Sequence, residues 1–287
     1  MVTRNLPPAL DLFDPLDRIL VHDDFNHGMQ GWTGLVGNYE DSLDSMLPEY
    51  ADLRDPMLSN LTVWDTGTDG SLHGNYAMKL ATLPRPGALS VAIKRLTWRV
   101  ATRIRWESIV TFKPEASKLK LSSTDVRAFG ILLDLQDGDR KAHPHRVMPH
   151  IRYLNADESG RREQWQYKST HRTVHDIGGR GETRSHFHLG PDGWTDLPDG
   201  SQRLCYNEIA TKHNWYYLRL DFDLRDMQFQ EFQCNNRTYE CRDVEPIRIP
   251  AMPNLWCMLN LAYFVESNSA KRAFLYVDSS LLSTDRE

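Results

Sequence analysis

The chain is predicted to fold as an all-β, two-sheet antiparallel sandwich with long loops, and three features predict it. Apolar residues recur with a period of two in many short segments, and helical periodicity is scarce. Gly, Pro, Asn and Asp interrupt the segments at short intervals. At 287 residues the chain can bury a substantial core without covalent staples. It reads as one sandwich domain, 19–287, behind a Pro-rich N-terminal arm, 1–18, with no repeat or linker to divide it.

The arm has no clear period and is expected to wrap the surface. An acidic, aromatic strand opens the domain, Val21-His22-Asp23-Asp24-Phe25-Asn26, with Gly28 and the Gly31-Trp32 step behind it. Residues 33–60 carry Gly34, Gly37, Asn38, Pro48 and Pro56 and read as a long ordered loop, the kind that tends to be functional. Strands are expected over 61–65, 76–82, 88–98 and 102–112, all rich in β-branched and aromatic residues. Residues 114–124, with Glu115, Ala116 and Lys118, suit a short helix. In 129–136, Phe129, Ile131, Leu133 and Leu135 oppose Gly130, Leu132, Asp134 and Gln136. In 215–223, Tyr216, Leu218, Leu220 and Phe222 oppose Arg219, Asp221 and Asp223. Each such strand has one buried face and one wet or ligand-facing face. Residues 169–202 hold three turn clusters, Gly178-Gly179-Arg180-Gly181, Gly190-Pro191-Asp192-Gly193 and Pro198-Asp199-Gly200, and read as a lid or rim hairpin over a binding face. The first cluster lacks the Lys-Ser/Thr of a phosphate loop. A strand over 272–278 closes the domain.

The net charge is −5 with both signs dispersed, so there is no basic footprint for nucleic acid. No apolar run reaches membrane-spanning length and none near the start suits a signal peptide, which makes a cytoplasmic location and no membrane partner the expectation. Cys205, Cys234, Cys241 and Cys257 match no metal-binding or Cys-x-x-Cys spacing and are expected as free, buried thiols, although Cys234 and Cys241 flank a turn at Asn235-Asn236. Eight Trp and eleven Tyr exceed the needs of a plain core, and stacking on sugar rings is one use for them.

Seven of the eleven histidines lie between 143 and 188, two pairs of them as His-x-His: His143 with His145, and His186 with His188. On a strand such pairs point to one side. In His150-Ile151-Arg152-Tyr153, His150 and Arg152 share a face, an arrangement that is costly if dry and natural in a wet groove. Imidazole serves as general acid or base near neutrality, and guanidinium pins a carboxylate or polarises a carbonyl. The next strand offers either Glu163, Trp165 and Tyr167 or Gln164 and Gln166 to the same groove; Arg105 and Glu107 line a face of theirs. The loop containing Arg54, followed by Trp64, forms a candidate wall. No Gly-x-Ser-x-Gly elbow appears.

The opening strand with Gly31-Trp32, and a closing strand ending Val277-Asp278, resemble the edges of concanavalin A-like (lectin/glucanase) jelly rolls, where the first and last strands lie side by side. The resemblance is to bacterial members of that superfamily. It implies a jelly roll with a concave groove, carbohydrate as partner, and a structural Ca²⁺ where the end strands meet, at Asp24 and Asp278, with no organic cofactor. The Glu-x-Asp-x-Glu motif of laminarinase-like members is absent, as are the Arg-Thr/Ser-Glu-Leu-Arg and Gln-Ile-His motifs of the alginate lyases. A groove richer in His and Arg than in acid pairs leans toward lyase or keto-sugar chemistry. The expectation is therefore a glycoside hydrolase or lyase, keto-sugar glycosides included among its substrates. His150, Arg152 and His188 would act as catalytic groups. Arg54, Trp64, Arg105, Glu107, His145, Glu163, Trp165, Tyr167 and His186 would bind substrate. The alternative is a non-catalytic, lectin-like glycan-binding protein. Exposed sheet edges allow a homodimer.

Overall fold

The computed structural model describes residues 10–34, 54–59, 70–115, 122–138, 144–170, 172–175, 183–187, 189–209, 212–251 and 256–286. The strands begin with β1 (Arg18–Asp23), β2 (Trp32–Gly34), β3 (Met57–Leu58), β4 (Met78–Ala81), β5 (Leu89–Thr97) and β6 (Arg103–Pro114). Next come β7 (Val126–Gln136), β8 (His145–Met148), β9 (His150–Asp157), β10 (Gly160–Lys168), β11 (Arg172–His175), β12 (Thr183–Phe187) and β13 (Trp194–Ser201). The last are β14 (Tyr216–Asp223), β15 (Gln228–Cys234), β16 (Arg237–Glu240), β17 (Ile247–Pro250), β18 (Met258–Ser267) and β19 (Ala273–Thr284). Among the described residues there is no α-helix.

The strands form a jelly-roll sandwich of two antiparallel sheets. The eight-stranded sheet runs β16-β15-β14-β6-β19-β4-β3, with β1 also on β19. The nine-stranded sheet runs β13-β10-β9-β7-β18-β5-β2, with β8 on β7 and β17 on β8. The separate pair β11-β12 lies within the predicted lid. The two ends of the domain do lie side by side, from Arg18 opposite Thr284 to Asp23 opposite Ser280. The closing strand is longer than expected and is no edge: β6 flanks it on its other side from Ala273 to Thr284.

The core lies between the sheets and is filled by the alternating sets. Phe129, Ile131, Leu133 and Leu135 face Tyr216, Leu218, Leu220 and Phe222 in one continuous cluster that includes Trp106, Phe112 and Tyr263. The fully buried Tyr263 hydroxyl bonds with the Ser108 and Ser280 hydroxyls, and Trp106 Nε1 donates to Ser280 Oγ at 3.0 Å, so these polar groups within the core are satisfied.

Four expectations change or lie beyond what is described. The strand over 61–65 falls outside the described residues, as do 116–121 of the expected helix, and Pro114 ends a strand. The turn-rich 169–202 segment is not all loop. Its last third is β13, paired with β10 and bulged between Gln164 and Gln166. An edge strand tolerates Pro198 because its missing N–H is not needed by a second neighbour. The four cysteines are free; Cys234, Cys241 and Cys257 are buried, but Cys205 is exposed.

Part of the outer face of the eight-stranded sheet is covered by the arm. Leu10 and Phe13 pack on Ile109 and Leu281, beside Trp215 and Tyr217. The Asp14 amide donates to Glu107 Oε1 at 2.7 Å, and Arg105 Nη1 donates to both the Asp14 carbonyl and its carboxylate.

Candidate functional site

Four neighbouring strands, β10, β9, β7 and β18, turn a second set of side chains outward from the nine-stranded sheet. Register puts Arg152 between Gln166 and Gly130, and Gly130 opposite Phe264. His150 lies opposite Leu132, one step along. A Cβ on Gly130 would fall 2.4 Å from the Ile151 carbonyl oxygen and 2.6 Å from the Phe264 ring, so the surroundings require glycine. Arg152 reaches across that strand to Glu266, with Nη1 3.7 Å from the carboxylate.

Over this patch sits Trp194, at the start of β13. Its indole lies 4.1 Å from the Arg152 Cζ and 4.8 Å from Lys168 Nζ, with His150 edge-on at 6.1 Å. Each cation is within cation–π range of the indole. Trp194 Nε1 and Lys168 Nζ both donate to the Gly190 carbonyl, at 3.1 and 2.8 Å, and Lys168 also donates to the Asp192 carbonyl. Arg152 Nε donates to Gln166 Oε1 at 2.8 Å, and Gln166 Nε2 donates to Asp196 Oδ1 at 2.7 Å. His150 is fully buried; its Nδ1 lies 2.8 Å from the Met148 carbonyl, to which it must donate. When the ring is neutral, its lone pair is then on Nε2.

Burial dominates the electrostatics. It holds Lys168 down to about 8, with Arg152 adding to the shift, and Arg152 down to about 10. The same burial raises Glu266 above the usual carboxylate range. These are the shifts that prepare groups for proton transfer near neutral pH.

The predicted residues divide between two faces and the core. His150 and Arg152 are together, but buried beneath Trp194 rather than in an open groove. Of the two sets offered by β10, the register turns out Gln164 and Gln166. Trp165 is 1 % exposed within the core and Tyr167 packs against it, so neither presents a face to substrate. Glu163 sits at the bulge, paired with Arg161. Arg105 and Glu107 lie on the opposite sheet under the arm, away from His150: Arg105 chelates Asp221 through Nε and Nη2 at 2.8 and 2.9 Å. Glu107 Oε1 accepts from Tyr217 at 2.6 Å. Arg54 is exposed and bridges Ser90 beside β5, and exposed His145 begins β8. Trp64 and His188 lie outside the described residues; His186 is on β12, its side chain likewise.

Asp24 and Asp278 each serve a turn. Asp278 Oδ1 accepts from Ser71 Oγ and from the Leu72 and His73 amides, at 2.9, 2.5 and 3.1 Å. Asp24 accepts from the Asn26 amide and side chain. Among the described residues no group of three or more His, Cys, Asp or Glu is placed to hold a metal.

A family model described as Domain of unknown function (DUF6772) matches residues 2–286. The chain belongs to that family. No curated protein matches this DUF6772 chain. Among solved structures it is similar to a Bacillus licheniformis β-glucanase, at 9 % identity and TM-score 0.41, covering 93 % of this chain and 98 % of that one. An alginate lyase, Aly36B, in complex with alginate trisaccharide matches at 12 % identity and TM-score 0.38, over 89 % and 99 %. The Emp46p carbohydrate recognition domain matches at 10 % and 0.37, over 88 % and 97 %. These are likenesses of fold alone.

Lys168, Glu266, Trp194 and Asp196 were not legible as site residues. Lys168 shares its parity with Gln164 and Gln166, and Glu266 shares its parity with Asn260. Those alternations were the available signal.

Proposed function

We propose that the protein is a carbohydrate-active enzyme, a glycoside hydrolase or lyase, working on the outer face of the nine-stranded sheet. One observation carries the reading: His150, Arg152 and Lys168 are gathered, buried, around a single indole, Trp194, with buried Glu266 3.7 Å from Arg152. Burying such groups costs several kcal/mol each, a cost that structural stability does not require. Half-buried Trp194 offers a ring face for a pyranose, and exposed Asp196 with Gln166 offers acceptors and donors for hydroxyls.

The basic character of the set favours proton removal beside a carbonyl, as in cleavage of a keto-glycoside. Lys168, near neutrality in its pKa, takes the proton from carbon. The released electron pair forms the C=C bond as the C–O bond to the leaving sugar breaks. Glu266, whose carboxyl burial raises above the usual range, returns a proton to the leaving oxygen. Arg152 stabilises the enolate that develops.

Turnover of a panel of glycosides and 3-keto-glycosides tests this. The rate should rise as the pH passes through about 8, where Lys168 loses its proton. Lys168→Met should remove that inflection and lower turnover at least ~100-fold, the scale of a general base. His150→Ala should also abolish turnover while leaving glycan binding largely intact. If sugars bind and none is altered, the protein is a lectin-like binder and the enzyme reading fails.

A further inference from the structure

Cations outnumber carboxylates among the largely buried groups of this face. Arg127, Arg152 and Lys168 bring three such cations together, with Glu266 between Arg127 and Arg152, and Asp157, which also acts on Arg127, bonded to Arg162. The other carboxylates that act on these cations are exposed: Glu158, 81 % exposed, toward Arg127, Asp196 toward Arg152, and Asp192 toward Lys168, which it also meets through its backbone carbonyl. Lys168 thus donates to two neutral carbonyls, and Arg152 to a neutral amide.

Elsewhere this fold treats buried guanidinium groups differently. Arg105 is chelated by Asp221 on the other sheet, and Arg146 holds Asp134 with two bonds of 2.6 Å on the same sheet. Arg152 has a side chain only 6 % exposed, yet among the described residues its two terminal NH₂ groups donate no hydrogen bond; Glu266 lies 3.7 Å away. Five donors in a planar fork match a carboxylate in shape and charge. Stacking on Trp194 covers a face of the guanidinium and leaves the in-plane hydrogen-bonding directions to another acceptor.

Resting on the carbohydrate reading above, we infer that the ligand of this face is an acidic sugar, a uronate whose carboxylate occupies the Arg152 fork next to Lys168. A neutral sugar would satisfy the donors but leave the Arg152 fork without a hydrogen-bonded carboxylate. A carboxylate satisfies the donors and pairs with the fork, through the short, charge-assisted bonds typical of such pairs. Trp194 would then stack on the ring bearing that carboxylate, so charge and ring face are read by adjoining groups.

The experiment compares glucuronate-, galacturonate- and mannuronate-containing oligosaccharides with their carboxyl-methylated esters and with neutral oligosaccharides of equal length. Binding to the full chain is measured by calorimetry. At least one uronate series should bind, methylation should weaken it 10-fold or more, and Arg152→Gln should produce a loss of similar size. If Arg152→Gln does not fold, the acid-against-ester comparison on the wild-type protein still decides. An ester that binds as well as its acid overturns the inference, as do neutral glycans that bind better than acidic ones; in both cases the carbohydrate reading stands. Failure of every glycan to bind overturns both.

Discussion

Asp278 fixes a turn some two hundred residues away in sequence, since its Oδ1 accepts three donors from Ser71, Leu72 and His73. Hydrogen bonds to a charged group are the stronger kind, so Asp278→Ala should cost about 2–4 kcal/mol in urea unfolding and Asp278→Asn less. Amide exchange at Leu72 and His73 should accelerate in step; a loss below ~0.5 kcal/mol would refute the assignment. Glu107 poses the opposite case. Its Oε2 has no partner among the described residues, and burial raises its carboxyl above the ordinary value. A raised carboxyl is stable when protonated, and that contribution is lost as the pH climbs from the usual glutamate range through the folded-state value. Glu107→Gln keeps the acceptor for Tyr217 and Asp14 without the buried charge. Its melting temperature should exceed the wild type's at pH 8, and the gap should close toward pH 4. A gap independent of pH would contradict this account. At this scale the sequence was least legible. Alternation along β10 placed Trp165 and Gln166 on opposite faces without saying which was inside, and only pairing with Arg152 on β9 decides it.

At the scale of elements, β7 holds the site together because it is crowded. Gly130 lets Arg152 cross it, and an added methyl would meet the Ile151 carbonyl and the Phe264 ring. Gly130→Ala should destabilise by about 2–4 kcal/mol, in the upper range for overpacking, and disturb Trp194 fluorescence through Phe264, whose ring lies 6.0 Å from the indole. An unchanged denaturation midpoint would mean that β7 and β18 are not so tightly apposed. The arm is held by a different balance. Phe13 is buried against Ile109 and Leu281, whereas the Asp14 side chain is 78 % exposed in its pair with Arg105. Phe13→Ala should cost about 2–3 kcal/mol and Asp14→Ala less than about 1, because exposed ion pairs contribute little and the Asp14 amide still reaches Glu107. The reverse order, measured by chemical denaturation, would make the latch electrostatic. Strands with clean alternation, such as β7 and β14, were readable from sequence. β13 was not, because Pro198, Asp199 and Gly200 are turn residues in most settings and only an edge position accommodates them.

For the whole molecule, the paired ends were legible and their place in the sheet was not. Val21-His22-Asp23 and Val277-Asp278 announce two strands that meet, but nothing local reveals that β6 lies on the other flank of β19. That location gives the C-terminal strand its weight. From Ser279 to Thr284, β19 pairs with β6 on one side, and from Ser280 onward it also pairs with β1 on the other, while Leu281 and Leu282 are fully buried. Removing residues 278–287 therefore strips β1 of its partner, exposes a flank of β6 and opens the core beside Trp106. Asp278 is lost as well, and with it the 71–73 turn. These losses fall on one continuous core cluster, so they should not be absorbed locally. The truncated chain should lack near-UV dichroism and a cooperative thermal transition, whereas the full chain should unfold in a single step. Its refolding should be slow, on the scale of milliseconds to seconds, because strands about 260 residues apart must meet before either is buried. A truncated protein that still melts cooperatively would show that the sandwich closes without its last strand, and the pairing of the two ends would then be a consequence of the fold rather than a condition for it.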